Sequence, residues 1–334
     1  MQSVSSIGFN WQIGARREGR RLVLLPQGLM TDDSGTTVAQ WPAAQSNSHT
    51  VKQWLAAAGL FPTKWINLLF SVGGIQMEDD RIVLDAFIPA DPSKDPVYKL
   101  AASALKDSSS GSKLMAEPLY EDDYVLVMNK PAGMPVHASR PGERGTLDEA
   151  AALHLLKRGD PLPVRHIHRL DNETSGLVLY SKNELAQQRL DEAMRNKAID
   201  RRYVAFVQGR LARRSGIIDA PIGRDRHHSM KRRAGAGGDP AVTHYEVLEQ
   251  YGSAALVSVR LETGRTHQIR VHMSHTGHPL VGDSLYGGST RLLAHQALHG
   301  ERLLFTHPLY GGQVEVVSPR PDWFEPIRRA LAST

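Results

Sequence analysis

The spacing of apolar and polar positions divides the chain into three zones. From residue 1 to about 105 the pattern is irregular, interrupted by polar stretches at 31–37 and 43–50. Inside that zone, VKQWLAAAGLFPTKWINLLFSVGGIQM (51–77) carries apolar residues at helical spacing and then reaches Gly73-Gly74, which predicts two short amphipathic helices and a turn. ALKDSSSGSK (104–113) has the small, polar composition of a linker and puts a domain boundary near residue 115. From about Pro118 onward, apolar runs and turn residues alternate regularly.

In the third zone, the run 124–129 predicts a strand ending at Lys130-Pro131. A helix is predicted after Thr146, whose hydroxyl caps it while Glu149 supplies the reciprocal acid. Residues 176–180 read as a buried strand and 183–197 as a helix capped by Asn183. Further strands are expected at 203–207, 243–248 and 255–261, then a helix over 266–276. Strands follow one another in hairpin-like succession, which favours an α+β fold with a mixed sheet over a parallel doubly wound one.

At 334 residues the chain holds one substantial domain and a small accessory one. The longest apolar runs, 22–26 and 65–72, are far too short to cross a bilayer. The opening residues lack the apolar core of a signal peptide, and cysteine is absent, which excludes disulfides and thiolate metal sites. A cytoplasmic protein is the expectation. Lys and Arg total 40 against 35 Asp and Glu, a net +5 that decides little by itself. Its distribution says more. Between Arg201 and Arg233 many basic residues, including Lys231, Arg232 and Arg233, face only Asp219 and Asp225. Such an excess fits a polyanion, and it equally fits a solvated basic face.

The segment HRLDNETSGLVLYSK (168–182) carries the densest candidate chemistry. A cluster of His168, Arg169, Asp171, Asn172, Glu173, Thr174 and Ser175 runs directly into a buried strand. That is a good place for a site, and also for a capped turn. His-Arg-Leu-Asp, two variable residues, Thr-Ser-Gly and an apolar strand ending in Lys182 resemble the central motif of the RluA-type pseudouridine synthases, with Ser181 where that family often has Ala. NKPAGMPVH (129–137), RRYVAFVQG (201–209), TGRTHQIRVHMSHTGHPLVGDSLYGG (263–288) and LLAHQALHGERLLFTHP (292–308) resemble its other motifs, in order. The likeness covers roughly 118–325.

This resemblance implies a bent, largely antiparallel mixed sheet flanked by helices, with a catalytic domain at 116–334. It implies isomerisation of uridine to pseudouridine in RNA, without cofactor or metal; a monomer is the simpler expectation. Asp171 is the implied catalytic carboxylate, Tyr203 the aromatic beside the detached uracil, and Arg270 the cation whose planar fork holds Asp171. Asp is ionised at neutral pH, its ordinary pKa being about 3.9, and a nearby guanidinium favours the charged form. The residues expected to contact RNA are His168, Arg169, Thr174, Arg265, His267, Lys231, Arg232 and Arg233. Arg169 is implied to help fill the space of a flipped-out nucleotide. The sequence leaves open whether the aspartate forms a covalent adduct or supports a glycal route.

The accessory region 1–115 weakly resembles, at about 50–98, a small helical RNA-binding motif shared with a ribosomal protein, which points to large-subunit ribosomal RNA, with transfer RNA as the alternative. The basic, glycine-rich stretch MKRRAGAGGDP (230–240) is expected to be a loop that orders on RNA. His267, His272, His275 and His278 lack an i, i+4 pair with an HExxH glutamate, so zinc is not expected. His267 and His272 are expected to bond within their motif or to contact phosphate. Two rival classes remain: an idle RNA-binding protein, which predicts loss of a site residue, and a metal-dependent hydrolase, which a chelator would stop.

Overall fold

The computed structural model describes residues 8–30, 40–106 and 116–333. The polar stretch at 31–37 and most of the expected linker lie outside them. The N-terminal part begins with α1 (Trp11–Gly14), β1 (Ala15–Glu18) and β2 (Arg21–Leu24), continues through α2 (Ser48–Ala58) and α3 (Thr63–Ser71), and ends in β3 (Ile75–Glu78) and β4 (Arg81–Leu84). The two expected helices and their turn are present: Asn47 caps α2, and Gly73 has φ 74°. The surrounding zone is not irregular as the sequence suggested. Its strands form an antiparallel sheet in the order β1-β2-β4-β3, each only four residues long and too brief to register as a period-two pattern. Helix α4 (Pro96–Lys106), with Asp95 accepting the Val97 N–H, buries Tyr98, Ala101 and Ala104 against Ala152 and Leu153.

The remaining chain runs through β5 (Glu117–Glu121), β6 (Val125–Lys130), α5 (Leu147–Lys157), β7 (Arg165–His166), β8 (Ser175–Ser181), α6 (Glu184–Arg195), β9 (Asp200–Gln208) and β10 (Ser215–Asp219). It then continues with β11 (Ile222–Arg224), β12 (Arg232–Ala234), β13 (Val242–Gln250), β14 (Ala254–Leu261), α7 (Gln268–His275), β15 (Leu298–Thr306), β16 (Gln313–Val317) and α8 (Phe324–Ala332). The main sheet orders β10-β13-β14-β9-β15-β8-β6-β5, with β16 on β15 and β7 on β8. Among the described residues only β8 and β15 pair in parallel, through His299 with Ser175 and Gly300 with Gly176. The mixed, largely antiparallel sheet expected of the family is therefore the one observed. Glycine is required at that junction: Gly176 has φ 117°, and a β-carbon there would overlap the Gly300 backbone.

Capping follows the sequence closely. The Thr146 hydroxyl accepts the Glu149 N–H at 3.1 Å, although Glu149 returns to the Gly145 N–H, one residue before the usual partner. Asn183 accepts the Ala186 N–H at the start of α6. Strand β8 is buried on both faces. Leu177 and Leu179 join the cluster that holds Leu22, Leu55, Trp65 and Phe87 of the N-terminal part, while Val178 and Tyr180 face Tyr203 and Ile269 on the other side. The N-terminal part thus backs the sheet, and Arg17 ties it down by pairing with Asp123 at 2.8 Å and Asp160 at 2.7 Å. The stretch 230–240 is not a plain loop: β12 pairs with β11 as a short ribbon, and Gly238 lies against the Ile222 backbone, where a side chain would not fit.

Candidate active site

The loop 168–174 enters β8, so the sheet fixes its exit. Its inner side is held from below. Lys130, fully buried at the end of β6, donates to the carbonyls of Met134 at 2.6 Å and Asn172 at 2.7 Å, and Gly133 N–H donates to Asn172 as well. Burial pushes the Lys130 ammonium down to about 7, against the pull of Glu173 and Asp171. The Asp171 carbonyl accepts the Thr174 N–H, closing the turn that the sequence allowed as an alternative. Turn and site are the same structure, because the carboxylate itself stays free to face a cavity of about 430 Å³.

Arg270 projects from α7 and donates through Nη1 to Asp171 Oδ2 at 3.1 Å. Its planar fork, expected on Asp171, is instead on Asp283: Nε donates to Oδ2 at 2.7 Å and Nη2 to Oδ1 at 2.9 Å. The reason is local. Asp283 sits beside Gly282, whose φ of 84° turns the chain back toward α7 and seats a fully buried carboxylate on the guanidinium. Asp283 and Asp171 raise the Arg270 pKa despite the opposing effect of burial, so the cation is permanent. The Tyr286 ring lies under the guanidinium at 5.0 Å, and its hydroxyl accepts the Arg232 N–H and bonds His267 Nδ1 at 2.8 Å. His267, at φ 58°, brings Nε2 to 3.8 Å from Asp171 Oδ2, an electrostatic approach too long for a hydrogen bond.

Tyr203 faces the same cavity from β9, where it pairs with Gly300 of β15. It is 5% exposed, and burial raises its phenol pKa. The cavity therefore brings together a half-buried carboxylate, a fixed guanidinium and a neutral aromatic. That set can stabilise charge at a sugar carbon and hold a planar ring, and the carboxylate is shared, not neutralised, by a cation that Asp283 already engages.

Residues 124–275 match the family model for RNA pseudouridylate synthase. The RNA pseudouridine synthase YhcT of Bacillus subtilis is 44% identical over 205 residues, covering 61% of this chain and 68% of that protein. The chain belongs to the RNA pseudouridine synthase family. Ribosomal large subunit pseudouridine synthase D of Vibrio vulnificus is 41% identical over 221 residues, 61% of this chain and 67% of that one. Human RNA pseudouridylate synthase domain containing 4 shares the fold, with a TM-score of 0.54 at 23% identity over 70% of this chain and 96% of that chain. As a pseudouridine synthase the protein is an isomerase whose substrate class is RNA.

Within this pseudouridine synthase, Asp171, Tyr203, Arg270, Arg169, Arg265 and His267 line the one cavity. His168 and Thr174 also border it but are 8% and 2% exposed, and both are turned to the scaffold. His168 Nε2 accepts the Leu179 N–H, and the Thr174 hydroxyl accepts from Gln296. Both side chains therefore also hold the scaffold at the border of the cavity. Burial, with the Arg201 charge second, lowers the His168 pKa to about 3, so the ring is neutral. Arg232 borders an adjoining cavity of about 470 Å³ with Asp171 and Arg270, whereas Arg233, next on the strand, faces Asp225 and His227 on the other side. Lys231 borders neither cavity. His272 is buried between the Thr243 hydroxyl and the Ala220 carbonyl. Among the described residues no three His, Asp or Glu cluster as a metal site. Sequence reasoning missed Asp283, Tyr286 and Arg201. An Asp and a Tyr between glycines, in GDSLYGG, were the only signal of the first two.

Proposed function

We propose that this pseudouridine synthase modifies large-subunit ribosomal RNA, with Asp171 as its catalytic carboxylate. The observation that carries the reading is the Asp171–Arg270 contact of 3.1 Å at the edge of a cavity that also holds Tyr203. Isomerisation breaks C1′–N1 of the uridine and forms C1′–C5. The C5 proton is lost and N1 gains one, so nothing is oxidised or consumed. An adduct at C1′ and elimination to a glycal both set the carboxylate against the ribose. Tyr203 covers the detached ring, and Arg270 keeps Asp171 aimed. The name of the Vibrio relative supports ribosomal RNA as the substrate. On this reading the enzyme works as a cytoplasmic monomer, Arg169 and Arg265 meet the RNA at the rim, and the ribbon carrying Lys231, Arg232 and Arg233 lies along it.

The test is pseudouridine mapping in ribosomal and transfer RNA from cells with and without the gene, followed by incubation of the deficient RNA with purified protein. Wild type restores the missing ribosomal sites, and Asp171→Asn restores none while binding RNA within a few-fold of wild type. Equal loss of binding and turnover in Asp171→Asn would make Asp171 structural. Sites missing from transfer RNA instead would move the substrate and keep the chemistry.

A further inference from the structure

Arg201, the second residue of β9, lines the active-site cavity two positions before Tyr203, yet is only 8% exposed. An arginine so buried normally has a carboxylate, because an uncompensated charge away from water is costly. Arg201 has none. Its side chain makes no ion pair and no hydrogen bond with any described residue, and its buried Nε has no partner. The contrast with its neighbours is plain. Arg270 is saturated by Asp283 and Asp171, and Arg202, on the outer face of the same strand, pairs with Asp200 at 2.8 Å.

A second idle donor lies nearby. His168 Nε2 accepts the Leu179 N–H, so its proton is on Nδ1, which is buried and also unpartnered. Gly264 leaves room for the guanidinium: a β-carbon there would come to 3.0 Å from Arg201 Nη1. The cavity's only carboxylate, Asp171, is already engaged by Arg270, while Arg169 at the rim makes only one long hydrogen bond, 3.4 Å to Thr266. The cavity therefore holds positive charge that no described residue offsets.

We infer that Arg201 is a phosphate-binding residue, taking a phosphodiester of the RNA strand beside the uridine held at Asp171, with Arg169 closing from the exposed side. A base carbonyl would satisfy the hydrogen bonds but not the charge, whereas a phosphate satisfies both and suits a guanidinium fork. The cation is left bare in the free protein and is compensated when RNA enters. This rests on reading the cavity as the uridine site.

The experiment compares Arg201→Met and Arg201→Lys with wild type in the Asp171→Asn background, measuring binding to oligouridylate across salt concentrations and urea unfolding of the free proteins. Arg201→Met should bind about tenfold more weakly, with a salt slope reduced by roughly 0.7 for the lost single-strand phosphate contact. Its unfolding midpoint should be equal or higher, since the substitution removes an unpaired buried charge. Arg201→Lys should keep most of the affinity. Unchanged affinity and slope in Arg201→Met, or a lowered midpoint accompanying the loss, would overturn the inference, as would full loss in Arg201→Lys. Turnover by Asp171→Asn would instead bring down the reading of the site, which separates the two failures.

Discussion

Asp283 is the residue whose removal should be felt most, although it does not face the uridine. Its carboxylate is fully buried and takes two of the three charge-assisted hydrogen bonds that Arg270 makes within the pair of aspartates. Asp283→Asn keeps the shape but presents an amide N–H₂ to one of those donors and withdraws the countercharge. Breaking one partner of a buried ion pair costs about 3–5 kcal/mol. Here Asp171 remains as a half-exposed alternative partner, so the loss should be about 2–4 kcal/mol, the worth of one to two charge-assisted bonds. Arg270 should then turn its fork onto Asp171, holding that carboxylate more tightly and slowing turnover while RNA affinity changes little. Urea unfolding gives the first quantity through the midpoint at constant slope, and tritium release from [5-³H]uridine RNA gives the second. The double variant Asp283→Asn/Arg270→Met should regain most of the stability and none of the activity, because no buried charge is then left bare at Asp283. A loss below about 1 kcal/mol in the single variant, or a double variant as unstable as the sum of both changes, would refute the role given to Asp283.

Arg270→Lys should lower turnover by about a hundredfold or more, since a point charge cannot serve Asp283 and Asp171 with three directed donors; near-normal rates would remove the assigned pairing. The neutral buried His168, with a pKa near 3, and His299, near 4, link stability to pH. Unfolding restores an ordinary value of about 6.5, so the unfolded chain binds more protons below that pH and stability falls as pH drops from 7.5 to 5.5, by about 1.4 kcal/mol for each ring. His299→Asn should recover its share in urea titrations at the two pH values, and a midpoint indifferent to pH would contradict the burial of both rings. Arg233→Gln on the exposed side of the ribbon should weaken RNA binding evenly across sequences and lower the salt slope by roughly 0.7–0.9, while a slope equal to wild type would take that face of the ribbon out of the interface.

What the sequence disclosed and what it hid divide along physical lines. Strand β8 was legible because seven consecutive buried residues follow a polar cluster, and α6 because Asn183 caps it before a helical pattern. The meeting of Asp171 with Arg270 came from motif likeness, and the structure supplies its distance. The fork of Arg270 was misassigned because Asp283 lies among turn residues, where an aspartate ordinarily serves its own backbone. His168 and Thr174 were expected to contact RNA; what the sequence hid is that each also has a partner in the scaffold, the Leu179 amide and Gln296. The N-terminal sheet escaped notice because RLVL and RIVL are apolar runs too short to show a period. The absence of a partner for Arg201 belongs to no local pattern at all; it exists only in three dimensions.

The core behind β8 has a consequence for how the protein is made. Phe9, Leu22 and Leu24 share a cluster with Leu303, Phe305, Leu309 and Val316, so residues near one end of the described chain depend on residues near the other. During synthesis the N-terminal sheet and its helices leave the ribosome long before β15 and β16 exist. Domains usually fold in order of emergence, but this one must wait with part of its apolar face uncovered until β15 and β16 have been translated. Ribosome-bound chains halted before β15 should therefore recruit chaperones, and chains released after β16 should not.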